Sequence, residues 1–133
     1  MVRGDGEGMK IYISGKISET SDYLERCAKT ETLLTKIGDT VINPAKINAQ
    51  LPENTDYDDY MRLSFVLLDM ADAIYMMNGW EKSKGARMEL LKAYQTGKRI
   101  IFEGEDRYVG LEMDCFTKEI VAETCRIRCS IRG

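Results

Sequence analysis

Apolar residues in this chain occur as short runs separated by longer segments with helical spacing. Four runs have the length of buried strands: KIYISG at 10–15, TVINP at 40–44, DAIYMM at 72–77 and RIIFE at 99–103. Three segments between them carry apolar positions three and four residues apart: 18–37, 56–71 and 83–97. Strand and helix therefore alternate. This pattern predicts a small parallel sheet of four or five strands covered by helices on both faces, the three-layer α/β class of flavodoxin-like and Rossmann-like folds.

The remaining segments are predicted to be irregular, except at the C-terminus. Residues 1–8 alternate glycine with charge, which predicts a flexible leader before a single domain at 9–133. Residues 45–56 are predicted to be a loop, since Pro44 closes the second strand. Residues 125–132 alternate cysteine and isoleucine with arginine and serine, as an edge strand with one wet face does. That face could be solvated, or could meet a phosphate or a neighbouring subunit.

Composition narrows the classes of function. A length of 133 residues fits one domain, and a net charge of -3 with an isoelectric point near 5.1 gives no electrostatic basis for binding duplex nucleic acid. No apolar run approaches the ~18 residues that cross a bilayer. We therefore expect a cytoplasmic protein with no membrane partner.

Cysteine and histidine limit the available chemistry. The four cysteines contain no C-x-x-C pair and the chain has no histidine, so the usual zinc arrangements are not expected and no metal or cofactor is predicted. Acid–base chemistry would then have to come from carboxylates, tyrosine, lysine or cysteine.

The predicted carboxyl ends of the strands bring three segments to one edge of the sheet. In open parallel sheets ligands bind at this edge, which here carries SGKIS, NPAK with Asn43, and NGWEKSKGARME. Ser83 and Gly85 lie where a helix should begin, so the hydroxyl and free backbone N–H groups could hold an anion. Trp80 could stack on a base or close its loop against the core.

Glu89 is an unexpected residue on its predicted helix face. That face also carries Ala86, Leu90 and Ala93, which should point inward. Burying an unpaired carboxylate is costly, and small neighbours leave room for something beside it. Glu89 could therefore face a ligand, or it could pair with a lysine or cap a loop; spacing alone leaves both alternatives open.

Several of these segments resemble one protein family. YISGKI, NP, ADAIYM and GWEKSKGARMELLKAYQTGKRI, in order over residues 9–102, resemble the nucleoside 2-deoxyribosyltransferase superfamily, which includes the deoxynucleoside monophosphate N-glycosidases. The similarity is greatest to an uncharacterised phage and bacterial branch with a GWE-S-GA---E motif. The resemblance implies that Glu89 attacks C1′ of a nucleoside or its 5′-monophosphate, that the base departs, and that water or a second base resolves a covalent glycosyl-enzyme.

The same resemblance implies roles for other residues. Tyr12 would orient Glu89, and Ser83 would favour a 5′-monophosphate. Three residues would line the loop over the ligand: Gly15, Lys16 and Ile17, with Lys16 facing phosphate. The resemblance also implies a homo-oligomer in which a neighbouring subunit completes the site.

Two positions depart from the family pattern. Counting back from Asp72, which we expect to anchor a strand end, Ser64 stands where the enzymes carry an aspartate that contacts the sugar or assists the leaving base. Either a nearby group takes that role (Asp58, Asp59 or Tyr60), or the reaction is slow or absent. Ser18 replaces an arginine of the monophosphate hydrolases. A protein that binds a nucleotide without cleaving it is therefore an alternative, as is an unrelated flavodoxin-like domain with a structural Glu89.

Overall fold

The computed structural model describes residues 8–17 and 22–104. Within them the elements are β1 (Lys10–Ser14), α1 (Asp22–Lys36), β2 (Thr40–Ile42), α2 (Pro44–Asn48), α3 (Tyr57–Asp69), β3 (Ala73–Met76), α4 (Lys84–Gln95) and β4 (Arg99–Phe102). A single 3-10 turn at Trp80–Lys82 precedes α4. The predicted leader, apart from Gly8, and the predicted strand at 125–132 lie outside the described residues.

The four strands form one parallel sheet in the order β2-β1-β3-β4. Tyr12 at the centre of β1 is in register with Ile42 of β2 and Ile74 of β3, and Ile74 is in register with Ile100 of β4. Each parallel pair needs a crossover, and the helices supply it. The predicted three-layer α/β fold with a four-stranded parallel sheet is confirmed.

Alternation along the strands divides the core into two clusters. The α1 face of the sheet is packed by apolar side chains that include Ile11 and Ile13 of β1 with Cys27 and Leu34 of α1. The α4 face is packed by side chains that include Tyr12 of β1, Ile74 and Met76 of β3, Leu68 of α3 and Leu90 of α4. Full burial of each large apolar side chain contributes about 1.5–3 kcal/mol to folding. Both faces are therefore covered, and the open positions of the sheet lie at its ends.

The prediction of loop from residue 45 is wrong at its start, where α2 forms. Asn43 is the N-cap of α2, and its Oδ1 accepts a hydrogen bond from the backbone N–H of Lys46 at 3.4 Å. Pro44 occupies the first turn, where its missing N–H costs no helical hydrogen bond. A proline that ends a strand can therefore also begin a helix. This helix lies at the edge of the sheet that is predicted to bind a ligand.

Helix and strand ends are fixed by local chemistry. Gly38 and Gly97 end α1 and α4 with φ of 97° and 74°, a region that favours glycine. Asp72 Oδ2 accepts a hydrogen bond from the backbone N–H of Lys10 at 3.0 Å, which ties the start of β3 to the start of β1. The predicted anchoring role of Asp72 is confirmed. Within the described ranges, no helix is long and apolar enough to cross a bilayer.

Candidate active site

A cavity of about 670 Å³ opens at the carboxyl ends of β1 and β2, beside the start of α4. Its walls come from the loop after β1, the start of α1, α2, α3 and the first turns of α4. It brings together eight of the residues predicted for the site: Tyr12, Gly15, Lys16, Ile17, Ser64, Ser83, Gly85 and Glu89. The edge of the sheet predicted to bind a ligand thus carries a cavity large enough for a nucleotide.

Glu89 lies in the wall of this cavity and is 7% exposed. Its Oε1 accepts a hydrogen bond from Ser14 Oγ at 2.6 Å, and its Oε2 accepts one from the Tyr12 hydroxyl. The Ser64 hydroxyl, from α3, also lowers the pKa of this carboxyl group. No lysine or arginine of the described ranges forms an ion pair with Glu89. The sequence left open whether Glu89 faces a ligand or instead pairs with a lysine or caps a loop. Hydroxyl groups hold this side chain, so the second alternative is not observed.

Burial and hydrogen bonding act in opposite directions on Glu89. Burial raises the pKa of its carboxyl group to about 6, because the charged form loses solvation, while the hydroxyls of Ser14, Tyr12 and Ser64 lower the pKa by stabilising the anion. Glu89 is therefore mostly ionised at neutral pH. Burial and the nearby Glu89 charge raise the pKa of Tyr12 well above its usual value, so Tyr12 remains a hydrogen-bond donor.

The backbone explains why these groups meet. Tyr12 and Ser14 are two residues apart on β1, so both side chains point to the α4 face of the sheet. Ser83 caps α4, and its Oγ accepts a hydrogen bond from the backbone N–H of Ala86 at 3.2 Å. Glu89 follows on the inward side of α4, between the buried Ala86 and Ala93. Ser14 was missed by the sequence reasoning, although its i+2 spacing from Tyr12 was the available signal.

Three lysines line the same cavity: Lys16 in the loop after β1, and Lys82 and Lys84 on either side of Ser83. None of them forms an ion pair with a carboxylate of the described residues. Lys84 Nζ lies 5.9 Å from the centroid of the Tyr57 ring, which is a cation–π distance. The lining side chains therefore carry more positive than negative charge, in a protein whose net charge is -3.

Asn43 and Trp80, both predicted to bind substrate, do not line the main cavity. Trp80 is 6% exposed, and its ring packs 5.7 Å from the ring of Phe102, centroid to centroid, in the core on the α4 face. Of its two predicted roles, the structure therefore favours closing the loop against the core. Asn43 caps α2 and donates a hydrogen bond from Nδ2 to Glu31 at 3.0 Å, beside a smaller cavity of about 380 Å³. Capping already occupies its amide.

The three groups proposed to replace the missing aspartate differ in whether they line the cavity. Tyr60 lines the cavity, whereas Asp58 and Asp59 do not. Asp59 forms an ion pair with Arg62 on the same helix. Ser64 is 6% exposed and contacts Glu89 from α3. Among the three candidates, only Tyr60 is therefore placed to touch a ligand.

Comparison with known proteins places this chain in a family. The profile of DUF4406, a domain of unknown function, matches residues 9–102. The chain belongs to the DUF4406 family. No curated protein matches it.

A solved structure shares the fold of this DUF4406 chain. The 2-deoxyribosyltransferase of the psychrotolerant bacterium Bacillus psychrosaccharolyticus, described as a biocatalyst for nucleoside synthesis, matches with a TM-score of 0.61 at 19% identity. The match covers 83% of this chain and 80% of that enzyme. At this identity the likeness shows the fold. Every cavity residue named above lies inside the segment that matches DUF4406.

Proposed function

We propose that this protein cleaves or transfers at the N-glycosidic bond of a nucleoside or deoxynucleoside, or of its 5′-monophosphate. The observation that carries the proposal is Glu89, a buried carboxylate without a cationic partner among the described residues, held by hydroxyls in the wall of a nucleotide-sized cavity. The likeness in fold to a 2-deoxyribosyltransferase supports the same reaction class. The family resemblance of the sequence assigns the nucleophile to the same residue.

The proposed reaction has two steps. A carboxylate oxygen of Glu89 attacks C1′, the bond from C1′ to the base nitrogen breaks, and the base leaves with the electron pair. Water or a second base then attacks C1′ of the glycosyl ester and releases Glu89. Tyr12 and Ser14 are positioning residues, because their hydrogen bonds fix the plane of the carboxylate and stabilise its anion.

The lining of the cavity supports a phosphorylated substrate. Lys16, Lys82 and Lys84 can each donate charge-assisted hydrogen bonds to a 5′-phosphate. Ser83 lies between the latter two lysines in sequence, and the first N–H groups of α4 begin at Lys84. A nucleoside 5′-monophosphate therefore fits this lining better than an unphosphorylated nucleoside does.

A second candidate function is nucleotide binding without cleavage, and Ser64 is the observation that favours it. Where the resembling enzymes carry an aspartate, this chain has a serine hydroxyl, which cannot act as a carboxylic acid. Such a binder would still be stabilised by nucleotide, and Glu89→Gln would leave that thermal shift largely intact.

A panel of nucleoside and deoxynucleoside 5′-monophosphates, with and without a free acceptor base, tests the proposal. Base release and exchange are followed by chromatography for the wild type and Glu89→Gln, with Glu25→Gln on the exposed side of α1 as a matched carboxylate control. Release that requires Glu89 and survives Glu25→Gln supports glycosidic chemistry, and acceptor dependence separates transfer from hydrolysis. Nucleotide-dependent stabilisation without release favours the binder.

The assembly and the location of the protein are also part of this proposal. We expect a homo-oligomer in the cytoplasm whose neighbouring subunit completes the cavity mouth, where Ile17, Leu24 and Tyr57 are exposed apolar side chains. Light scattering after size-exclusion chromatography checks the assembly, and a monomeric mass would contradict it.

A further inference from the structure

One wall of the cavity is rich in aromatic side chains. On α3 the cavity-lining residues are Tyr57, Tyr60, Met61 and Ser64, and Tyr23 of α1 faces the same space. Phenol rings carry negative potential on their faces and attract cations. Lys84 Nζ already lies at cation–π distance from Tyr57. Tyr23 and Tyr60 are therefore the rings of this wall that are left to face a positively charged base.

The same wall offers only weak acids to a departing base. Glu89 is the one carboxylate among the described cavity residues, and the whole chain contains no histidine. Burial raises the pKa of Tyr12, Tyr23 and Tyr57, so these hydroxyls hold their protons tightly. At the position of the family's aspartate this chain has Ser64, whose hydroxyl is a far weaker acid than a carboxyl group. A neutral base must gain a proton as it leaves, and these groups are weak acids that donate one inefficiently.

We propose that the substrate is a nucleotide whose base carries a fixed positive charge, of the N-ribosylpyridinium or N7-alkylpurine class, with a phosphate on the sugar. This inference rests on the proposed function, because it assumes that Glu89 attacks C1′.

The bond changes balance without a general acid in the first step. A Glu89 oxygen forms a bond to C1′ while the bond from C1′ to the base nitrogen breaks, and its electron pair neutralises the charged ring. The base therefore departs as a neutral molecule and needs no proton. Water then attacks C1′, the ester bond breaks, Glu89 recovers its electron pair, and the proton of the water passes to solvent.

The charges of such a substrate match those of the cavity. Its cationic base would face Glu89 and the tyrosine wall, and its phosphate would face Lys16, Lys82 and Lys84. The lysines would disfavour a cationic nucleoside that brings no phosphate. The phosphate is therefore required by the same lining that accepts the charged base.

Guanosine 5′-monophosphate and N7-methylguanosine 5′-monophosphate form a matched pair that tests the inference, since they differ by one methyl group and one charge. Nicotinamide ribotide adds the pyridinium class, and the ribo and 2′-deoxy forms of each guanine nucleotide are included. Each rate is divided by the uncatalysed rate of the same compound in the same buffer, which removes the intrinsic lability of the cationic base. Glu89→Gln is the control in every reaction.

We expect the rate enhancement to be at least about 100-fold larger for the cationic nucleotides than for the neutral ones. A general acid usually contributes about this factor, and only the neutral bases need one. Equal enhancement for the neutral nucleotide would overturn the inference and leave the proposed function standing. No Glu89-dependent release from any compound would reject both.

Variants at Tyr60 provide a second readout. Tyr60→Phe keeps the ring and should preserve the preference for the cationic base, whereas Tyr60→Leu removes the ring and should reduce that preference about two- to fivefold. A loss of neutral-base cleavage in Tyr60→Phe, with cationic cleavage unchanged, would identify the Tyr60 hydroxyl as an acid and contradict the inference.

Discussion

Alternate side chains of β1 point to opposite faces of the sheet, and the two sets have different roles. On the α1 face Ile11 and Ile13 pack into an apolar cluster, whereas on the α4 face Tyr12 and Ser14 direct hydroxyls at Glu89. Both faces are buried, so burial itself does not distinguish core from site. The distinction comes from the carboxyl end of the strand on the α4 face, where polar side chains replace apolar ones beside a cavity.

Two buried tyrosines make this contrast specific. Tyr12 on the α4 face gives its hydroxyl to Glu89, while Tyr75 of β3 lies in the cluster on the α1 face. As whole residues they are 1% and 7% exposed. The same residue type therefore serves positioning on one face and packing on the other.

The largest expected effect comes from removing the Glu89 charge on the α4 face. Glu89→Gln keeps the size of the side chain but removes the nucleophile, so base release should fall by at least about 10³-fold. Chromatography of the released base measures the loss. Activity within a few-fold of the wild type would show that the cavity, if it is catalytic, uses another group.

Tyr12→Phe and Tyr75→Phe each remove one hydroxyl, and together they test the difference between the two faces of the sheet. Tyr12→Phe should lower kcat/KM about 10- to 100-fold, because hydrogen bonds to charged groups contribute about 1.5–3 kcal/mol, whereas Tyr75→Phe should change it less than about twofold. Tyr12→Phe should also raise the pH at which activity is half-maximal. Equal losses in both variants would place Tyr12 in the core rather than in the site.

The ionised Glu89 on the α4 face should lower the free energy of unfolding. The pKa of Glu89 is higher in the folded protein than the ordinary glutamate value of 4.5, so the folded state binds its proton more tightly and ionisation destabilises it. The cost is absent below about pH 4.5 and complete above about pH 6. Glu89→Gln should therefore increase the free energy of unfolding by about 2 kcal/mol at pH 7.5 and by almost nothing at pH 4.

Urea unfolding at both pH values measures this difference. Glu25→Gln, on the solvent side of α1, should show no comparable dependence on pH. A destabilised Glu89→Gln at pH 7.5 would mean that the hydroxyl network stabilises the charged form more than burial opposes it.

The smallest expected effect concerns Ser14, which distinguishes the end of β1 on the α4 face. The activity of the wild type should rise with pH through about 6 as Glu89 ionises. Ser14→Ala removes one donor to Oε1, so the rise should move to higher pH by somewhat less than about one unit. A pH profile of kcat/KM measures the shift, and an unchanged profile would show that Ser14 only packs.

Sequence patterns predicted most of the fold and singled out Glu89 for identifiable reasons, although spacing alone left its role open. The apolar runs and helical spacing identified the four strands, α1, α3 and α4, and Ser83 marked the start of α4 because serine is a strong N-cap. Glu89 was found because a carboxylate on an apolar face requires a reason.

The remaining features depend on distances that sequence patterns do not contain. Ser14 meets Glu89 across 75 positions of sequence. The short α2 was missed because Pro44 ends one element and begins the next. Trp80 had two equal interpretations until the contact with Phe102 in β4 showed the packing role.

The most direct test of the central claim is to locate the covalent intermediate. The wild type is quenched with acid during turnover of a 2′-fluorinated nucleotide, which slows the second step, and peptide mass spectrometry then finds the sugar adduct. The account predicts an adduct on the peptide that contains Glu89, lost in Glu89→Gln. An adduct on another residue, or base release in the Glu89→Gln variant at the wild-type rate, would contradict it.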